Sequence, residues 1–319
     1  MRLLAAHPAA WTPAGLDTIL LWAAQAGHTV QRVPIGAADP GFASWADALI
    51  ARETPDLVLA FGPGPAACAV LPLARMRDIA TLLLLHEDPG QPEPFAAADR
   101  ILVPSAWLAS RLRARYGAVA EILPWPLSPP NADDDGEGRG FLGIVDPTPL
   151  RGGAVFGRIA GLLAETRPDI PMLVVAGQGP PDLPGLDEGT LRQIVVSPPL
   201  EPAALLALTR VLLMPFVAED GAALVAAEAS MHGVPTIVSD RGALPEMAGP
   251  GGLVVQLPPI VLEDPRLLPG AAETSGWVRA IERAWDEGTS SQAACEQAIA
   301  RHGPATLRAA YDRFLRESC

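Results

Sequence analysis

Apolar runs alternate with amphipathic segments along most of this chain of 319 residues. Short runs rich in Leu, Val and Ala, such as "DLVLAFGPG" and "MLVVAGQG", have the length and composition of buried strands. The segments between them, such as "GLDTILLWAAQAG" and "GAVFGRIAGLLAETRP", carry apolar residues at helical spacing. Alternating strands and helices indicate parallel sheets covered on both faces, so the predicted fold class is α/β.

One polar stretch interrupts this alternation. The segment "PWPLSPPNADDDGEGRG" combines Pro, Asn, acids and Gly without periodicity, which is typical of a linker. The pattern therefore predicts two doubly wound, Rossmann-like domains over residues 1–126 and 139–303, joined by a linker over 127–138 and facing a central cleft. The last segment, 304–319, has the pattern of one more helix.

The amino-acid composition excludes some classes of binding partner and indicates the cellular compartment. The chain is 49% hydrophobic, which is enough for a sizeable core, and all its 23 basic residues are Arg. Its net charge of −13 argues against nucleic acid and an anionic membrane surface as partners. Its three cysteines show no paired spacing, which favours a reducing compartment over a disulfide framework or a zinc site. No run of 18 apolar residues exists, and the first apolar run is too short for a signal peptide. We therefore expect a cytoplasmic protein without a transmembrane segment.

Candidate ligand contacts follow the predicted strands, because ligands of parallel α/β sheets bind beyond the carboxyl ends of the strands. One segment that follows a predicted strand contains two acids around an otherwise apolar run: "PFVAEDGAALVAAEASMHGVPTIVSDRGALPEM". If the helix begins at Gly221, Asp220 lies at its start and Glu228 about 12 Å further along the axis. That separation is too large for a catalytic acid–base pair or a shared metal ion.

The same separation suits two carboxylates that hold hydroxyl groups at different points of one extended ligand. Between them, the amides of Gly221, Ala222 and Ala223 would form an anion site at the predicted helix start. An extended ligand with an anion in its middle and hydroxyls on both sides is a nucleotide sugar. The sequence thus predicts a nucleotide-sugar site in the second domain.

This segment resembles the donor site of the retaining glycosyltransferases of family 4, which have the GT-B fold. "VDPTPLRGGAVFGRIAGLLAETRPDIPMLVVAGQG" is similar to the segment that opens the second domain of that family, and "ADRILVPSAWLASRLRARYG" to the last strand and helix of its first domain. The resemblance spans residues 98–255. It implies a GT-B fold, a nucleotide-diphosphate sugar as donor, no metal or other cofactor, and a last helix that crosses back onto the first domain.

The resemblance also implies residue roles in the second domain. Glu228 matches the Glu that holds the ribose hydroxyls, and Asp220 stands where a Glu contacts the donor sugar. Arg151, followed by Gly152, stands where a Lys grips the diphosphate; an Arg keeps the charge and can bind two phosphate oxygens. Gly242 matches a Gly-Gly-x-Pro-Glu turn. The remaining donor-site residues predicted in this domain are Gly177, Gly179, Pro199, Gly221, Ala222, Ala223 and Leu224.

In the first domain the resemblance implies two further residues. His86 ends a buried strand where the family has a His near the donor sugar. Gly15 falls in the first predicted strand-to-helix turn, near the diphosphate. Together with Arg151 and Asp220, His86 completes the predicted catalytic set.

Most of these residues also have a purely structural interpretation. Asp220 is a good helix cap on its own, His86 could be a core histidine, and Arg151 could be a solvated surface residue. Glu228 is harder to explain structurally, because a buried acid without a partner is costly. The acids at 133–135 imitate a metal-binding Asp-x-Asp motif, but their setting between Pro-rich and Gly-rich segments favours a solvated linker.

The expected activity is metal-independent transfer of a sugar, with retention of configuration, from a nucleotide-diphosphate sugar to an acceptor hydroxyl of unknown identity. Two other functions stay open. One is a nucleotide-sugar 2-epimerase built on the same fold. The other is a nucleotide-sugar-binding protein that has lost transferase activity.

Overall fold

The computed structural model of the protein describes residues 1–8, 14–35, 41–62, 64–130, 136–177, 179–288 and 292–318. Its strands are β1 (Arg2–Pro8), β2 (Thr29–Ile35), β3 (Leu57–Phe61), β4 (Ala80–Leu84), β5 (Arg100–Val103), β6 (Glu121–Ile122), β7 (Phe141–Val145), β8 (Met172–Val175), β9 (Ile194–Ser197), β10 (Thr209–Met214), β11 (Thr236–Ser239) and β12 (Leu253–Val255). Its helices are α1 (Ala14–Gln25), α2 (Phe42–Glu53), α3 (Pro65–Arg75), α4 (Ala106–Tyr116), α5 (Gly153–Thr166), α6 (Glu188–Leu191), α7 (Pro202–Leu208), α8 (Leu224–Met231), α9 (Leu244–Ala248), α10 (Pro259–Glu263), α11 (Ala271–Glu287), α12 (Gln292–His302) and α13 (Pro304–Arg316).

The chain folds into two compact units. The first unit contains residues 1–127 and 300–319, and the second contains residues 128–299. Helix α13 therefore belongs to the first unit, where it packs against α1. Among the described residues, we find no helix that is both long and apolar enough to cross a membrane.

The first unit is built on a six-stranded sheet in the order β2-β1-β3-β4-β5-β6, with every pair parallel. All five residues of β3 are buried, because helices cover both faces of a parallel sheet. Helix α4 begins where the Ser105 hydroxyl accepts a hydrogen bond from the Leu108 amide at 3.1 Å. It ends at Gly117, which has a positive φ of 69°.

The second unit is built on a six-stranded parallel sheet in the order β12-β11-β10-β7-β8-β9. This is the order of a Rossmann sheet, in which the first and fourth strands of the unit are neighbours. The chain leaves β7 towards one edge of the sheet and β10 towards the other. The point between these two strands is where ligands bind in open α/β sheets.

The core of the second unit forms where helices α5 and α11 pack together and against the sheet. Phe156 and Ile159 of α5 and Trp277 and Ile281 of α11 are fully buried in it. The indole nitrogen of Trp277 donates to the carbonyl of Gln256 at 3.1 Å, so the buried ring also has its polar atom satisfied. This packing fixes α5, whose first turn follows the predicted phosphate-binding residues.

The alternation of strands and helices predicted from the sequence is confirmed, and with it the α/β class. Some details of the prediction were wrong. Strand β6 and helix α12 were not predicted at all. Residues 133–135, discussed above as a possible metal motif, lie outside the described residues.

Candidate functional site

The candidate site lies at the carboxyl edge of the second unit's sheet, at the switch between β7 and β10. Because all strands of the sheet are parallel, the segments that follow them leave from the same edge. The residues that follow β7 include Arg151, and those that follow β10 include Asp220. These two residues therefore flank the position where the strand order reverses.

Arg151 ends a short 3-10 turn, Pro149–Arg151, which bridges β7 and α5. The Thr148 hydroxyl caps this turn by accepting a hydrogen bond from the Arg151 amide at 3.3 Å. The guanidinium carbon lies 5.1 Å from the centre of the Phe216 ring, and Nε lies 3.5 Å from Oδ2 of Asp146. The guanidinium group is therefore held by two neighbours, while 42% of the side chain stays exposed.

Gly152 is required by the path of the chain at this point. Its φ is 81°, a conformation that side-chain-bearing residues rarely adopt. A Cβ at this position would overlap the backbone carbonyl oxygen of Pro215, which follows β10. Gly152 thus lets the turn that carries Arg151 lie directly against the segment that leads to Asp220.

Asp220 stabilises the loop that precedes α8 and is not the cap of that helix, which begins after Ala223. Its Oδ1 atom accepts hydrogen bonds from the amides of Ala222 at 3.0 Å and Ala223 at 2.7 Å. The backbone of Asp220 is fixed by Gly242, whose φ is 59° and whose missing side chain leaves room for that backbone. Oδ2 forms no hydrogen bond within the described part of the chain.

The predicted start of α8 was wrong by three residues, and this changes the anion site. The helix begins at Leu224, after Ala223, which has a positive φ of 44°. The amides of Ala222 and Ala223, predicted to bind an anion, instead bind Asp220. Within the described residues, the amides of Leu224 and Val225 form no hydrogen bond, so the unpaired amides at the helix start belong to these two residues.

Glu228 lies on α8 between fully buried alanines, with Ala227 before it and Ala229 after it. Its side chain forms no hydrogen bond or ion pair with any described residue. Burial, and secondarily the negative charge of Glu201, raise the pKa of Glu228 from 4.5 to about 7. An unpartnered acid in this position is unfavourable for the fold, so it calls for a ligand.

The other predicted residues of the second unit differ in their surroundings. Gly177 leaves room for the carboxylate of Asp146, because a Cβ there would overlap Oδ1 of that residue. Gly179 faces open space, with no atom near the position of a Cβ. Pro199 is exposed after β9, and Gly221 is buried in the loop that precedes α8. All four follow strand ends of the same sheet.

The predicted residues of the first unit belong to an aromatic cluster at the carboxyl edge of its sheet. The ring of His86, just after β4, stacks on Phe61 at the end of β3 with 5.2 Å between ring centres and 7° between ring planes. Phe61 in turn meets Trp125 edge to face. Nε2 of His86 lies 3.7 Å from Oε1 of Glu87, and about a quarter of the side chain is exposed. His86 is therefore neither a fully buried core residue nor a freely solvated one.

The prediction that Gly15 lies in a turn was wrong. Gly15 is the second residue of α1, and a Cβ there would come within 2.9 Å of the Trp125 ring. The glycine therefore lets α1 approach Trp125. The side of Gly15 on which a Cβ would project is filled by that ring and is closed to a phosphate.

Sequence reasoning missed several polar residues at the same sheet edge of the second unit. Asp146 pairs with Arg151, and Arg241 joins the segment after β11 to the segment after β10. Its Nε donates to the carbonyl of Val217 at 3.2 Å, and its Nη2 lies 3.4 Å from Oε1 of Glu219. Their positions directly after strand ends were the only signal in the sequence. In the part of the chain that the structure describes, no three His, Cys, Asp or Glu side chains are grouped as metal ligands would be.

Two Rossmann-like units, each with a six-stranded parallel sheet, define the GT-B fold. Residues 140–264, which carry the candidate site, match the family model described as glycosyl transferases group 1. A search of curated proteins found no match.

Solved structures share the fold over nearly the full chain. HepE from Anabaena, solved in complex with UDP-glucose, matches with a TM-score of 0.75 and 14% identity, covering 99% of this chain and 100% of its own. A glycosyltransferase from Rickettsia africae matches with a TM-score of 0.68 and 12% identity over 99% and 98%. UDP-GlcNAc 2-epimerase from Neisseria meningitidis, bound to UDP-GlcNAc, matches with a TM-score of 0.63 and 11% identity over 99% and 100%.

Proposed function

We propose that this protein is a glycosyltransferase that takes a nucleotide-diphosphate sugar as donor and transfers the sugar to an acceptor hydroxyl. The observation that carries the proposal is Glu228, a half-buried carboxylate that has no partner among the described residues and lies on the helix that follows β10. Two neighbouring ribose hydroxyls would donate to this carboxylate and supply the partners that the chain does not. The match of residues 140–264 to a glycosyltransferase domain supports the same assignment.

The diphosphate would be bound by Arg151 together with the amides of Leu224 and Val225. When the bond between the anomeric carbon and the leaving oxygen breaks, negative charge grows on the diphosphate. A guanidinium and two amides fixed before the reaction stabilise that charge more in the transition state than in the ground state. Asp220, through Oδ2, would accept a hydroxyl of the donor sugar.

The resemblance to family 4 adds retention of configuration to the proposal. In this route the acceptor hydroxyl attacks the face that the diphosphate leaves, and a phosphate oxygen of the leaving group takes the proton of the acceptor. Because the positive groups named above belong to the protein, the proposed reaction requires no metal ion.

The first test of the proposed function is whether the reaction proceeds without a metal ion. Sugar transfer from UDP-glucose or another nucleotide sugar to a panel of hydroxyl acceptors should continue in excess EDTA at the untreated rate. Product analysis should show the free nucleoside diphosphate and a new glycoside in equal amounts. Activity that disappears with EDTA and returns only with Mg²⁺ or Mn²⁺ would refute the proposed route of charge stabilisation.

His86 should matter for turnover more than for nucleotide binding, because the resemblance places it near the donor sugar and the proposed nucleotide contacts all belong to the second unit. His86→Ala should lower kcat about 100-fold, within the range expected for a group that acts only in the reaction, and leave the Kd for the nucleoside diphosphate unchanged. His28→Ala is the matched control, because His28 precedes β2 at the opposite, amino edge of the sheet, where it is bound to Asp312. A kcat of His86→Ala equal to that of the wild type would mean that His86 only packs against Phe61.

A 2-epimerase activity is the second candidate, because UDP-GlcNAc 2-epimerases match the fold over 99% of this chain. The two activities separate in a reaction without any acceptor. An epimerase interconverts UDP-GlcNAc and its 2-epimer under those conditions, whereas a transferase leaves the sugar configuration unchanged.

A further inference from the structure

Asp146 is a carboxylate placed beside the cation that would bind the diphosphate. It is the first residue after β7 and has a positive φ of 47°, a conformation that Asp and Asn tolerate better than most residues. Its amide donates to Val175 at 2.8 Å, and its carbonyl accepts from Thr148 at 2.7 Å. Its carboxylate occupies the space that Gly177 leaves open on the neighbouring strand end. Backbone and side chain together therefore fix the position of this charge.

The pair of Asp146 and Arg151 contributes little to stability. The two side chains are 30% and 42% exposed, and their charged atoms are 3.5 Å apart. Ion pairs with this much solvent contact usually contribute little to stability. A strained backbone conformation at Asp146 would offset part of even that gain. The carboxylate thus calls for an explanation outside the stability of the fold.

The two phosphate ligands of a transferase differ in charge in a way that this carboxylate can detect. In the donor, the second phosphate is esterified to the sugar and carries one charge. In the released nucleoside diphosphate this phosphate is terminal and has a second pKa of about 6. It therefore gains about one further negative charge at neutral pH. A ligand phosphate that reaches Arg151 also comes close to Asp146.

We propose that Asp146 selects the donor over the spent nucleoside diphosphate and so speeds product release. The inference rests on the proposed function and deepens it. Arg151 attracts both ligands, but the fixed carboxylate beside it repels the more highly charged product more strongly. The site thereby loses affinity for its own leaving group as soon as the sugar has been transferred.

Asp146→Asn tests this with little disturbance of the fold, because Asn has nearly the same shape and tolerates the same φ. The variant should bind UDP about tenfold more tightly than the wild type and UDP-glucose at most about threefold more tightly, as expected for one unit charge at short range. Asp146→Gly, which also tolerates a positive φ, should show the same preference. Glu165→Gln is the matched control, since it removes one charge from the exposed face of α5 about 18 Å from the site.

The pH dependence adds a second readout in the same titrations. At pH 5 the terminal phosphate of UDP takes up a proton. The effect of Asp146→Asn on the affinity for UDP should then approach its effect on the affinity for UDP-glucose. A residue that only holds the position of Arg151 would give no such pH dependence.

The possible failures are distinguishable. If the wild type binds neither UDP nor UDP-glucose, and also no GDP, ADP or dTDP, the proposed function and this inference both fail. If the wild type binds and both Asp146 variants weaken the two ligands equally, Asp146 merely positions Arg151 and only the inference is overturned. Unchanged affinities in both variants would overturn it as well.

Discussion

Replacing Glu228 by glutamine should make the protein more stable at pH 8 and at the same time weaken its binding of nucleotides. Burial raises the pKa of Glu228 to about 7, whereas its ordinary value is 4.5. The folded protein therefore holds the proton more tightly than the unfolded chain does. The protonated acid is fully accommodated below about pH 4.5, and this stability is lost as the pH rises through 7.

The size of the effect follows from the shift of the pKa. A difference of 7 − 4.5 = 2.5 units corresponds to about 3 kcal/mol at pH 8, as an order of magnitude. Glutamine has a similar shape and carries no charge at any pH. Glu228→Gln should therefore raise Tm at pH 8 by roughly 5 °C or more, and the gain should nearly disappear at pH 5. Differential scanning calorimetry of both proteins at the two pH values measures it.

The exposed Glu165 on α5 provides the control for this experiment. Glu165→Gln removes the same charge from a solvated position, and surface substitutions of this kind change stability by less than about 0.5 kcal/mol. If Glu228→Gln is no more stable than the wild type at pH 8, Glu228 has favourable partners within the folded chain. It would then be a structural acid, and the main argument for a ligand at this position would be lost.

Replacing Gly152 by alanine should make the protein less stable, in contrast to the gain in stability expected for Glu228→Gln. A positive φ costs a residue with a side chain about 1–2 kcal/mol, and overlap with the fixed carbonyl of Pro215 adds a comparable amount. We expect a loss of about 3 kcal/mol in the free energy of unfolding, measured by urea denaturation. Because the overlap also displaces the turn that carries Arg151, nucleotide affinity should fall as well.

Gly161→Ala, on the helix that follows Gly152, is the matched control for this substitution. Gly161 lies inside α5, has no positive φ, and has no atom near the position of a Cβ. Alanine there should stabilise the helix by up to about 1 kcal/mol. Equal stability of the two alanine variants would mean that the chain does not pass as closely over Gly152 as the structure indicates.

Much of the fold could be predicted from the sequence, because most of its strands are buried on both faces and therefore appear as continuous apolar runs. Strand β6 was missed because it has only two residues, Glu121 and Ile122, both exposed. Helix α12 was missed because its sequence, "QAACEQAIARH", has a weak apolar pattern. The short helices α6, α9 and α10 have too few turns to show a period.

The site was predictable in its residue types but less so in its geometry. The position of Glu228 follows from its spacing within the donor-like segment. The start of α8 did not follow, because nothing in an alanine signals that Ala223 adopts a positive φ of 44°. The same holds for Asp146, whose conformation brings its carboxylate to Arg151. Such local exceptions to backbone preference cluster where chain segments meet at a ligand site.

The proposed use of Glu228 also explains why an unfavourable acid is kept in the second unit. Its desolvation lowers the stability of the free protein near neutral pH. A bound ribose returns hydrogen bonds to the carboxylate and favours its ionised form. The affinity of the wild type for UDP-glucose, whose phosphates do not titrate in this range, should therefore increase from pH 6 to pH 8, whereas that of Glu228→Gln should stay nearly constant.

The most direct test of the central claim is a calorimetric titration at pH 8 of the wild type and Glu228→Gln with a nucleoside diphosphate and with its 2′,3′-dideoxy analogue. The nucleoside diphosphate used is the one that binds the wild type best in a panel of UDP, GDP, ADP and dTDP. A charge-assisted hydrogen bond is worth about 1.5–3 kcal/mol, so the intact nucleotide should bind the variant roughly tenfold to a hundredfold more weakly. The dideoxy analogue should bind both proteins with nearly equal affinity, because it lacks the hydroxyls that Glu228 is proposed to hold. Equal losses for both ligands, or no loss for either, would contradict the assignment of Glu228 to the ribose and with it the proposed nucleotide-sugar site.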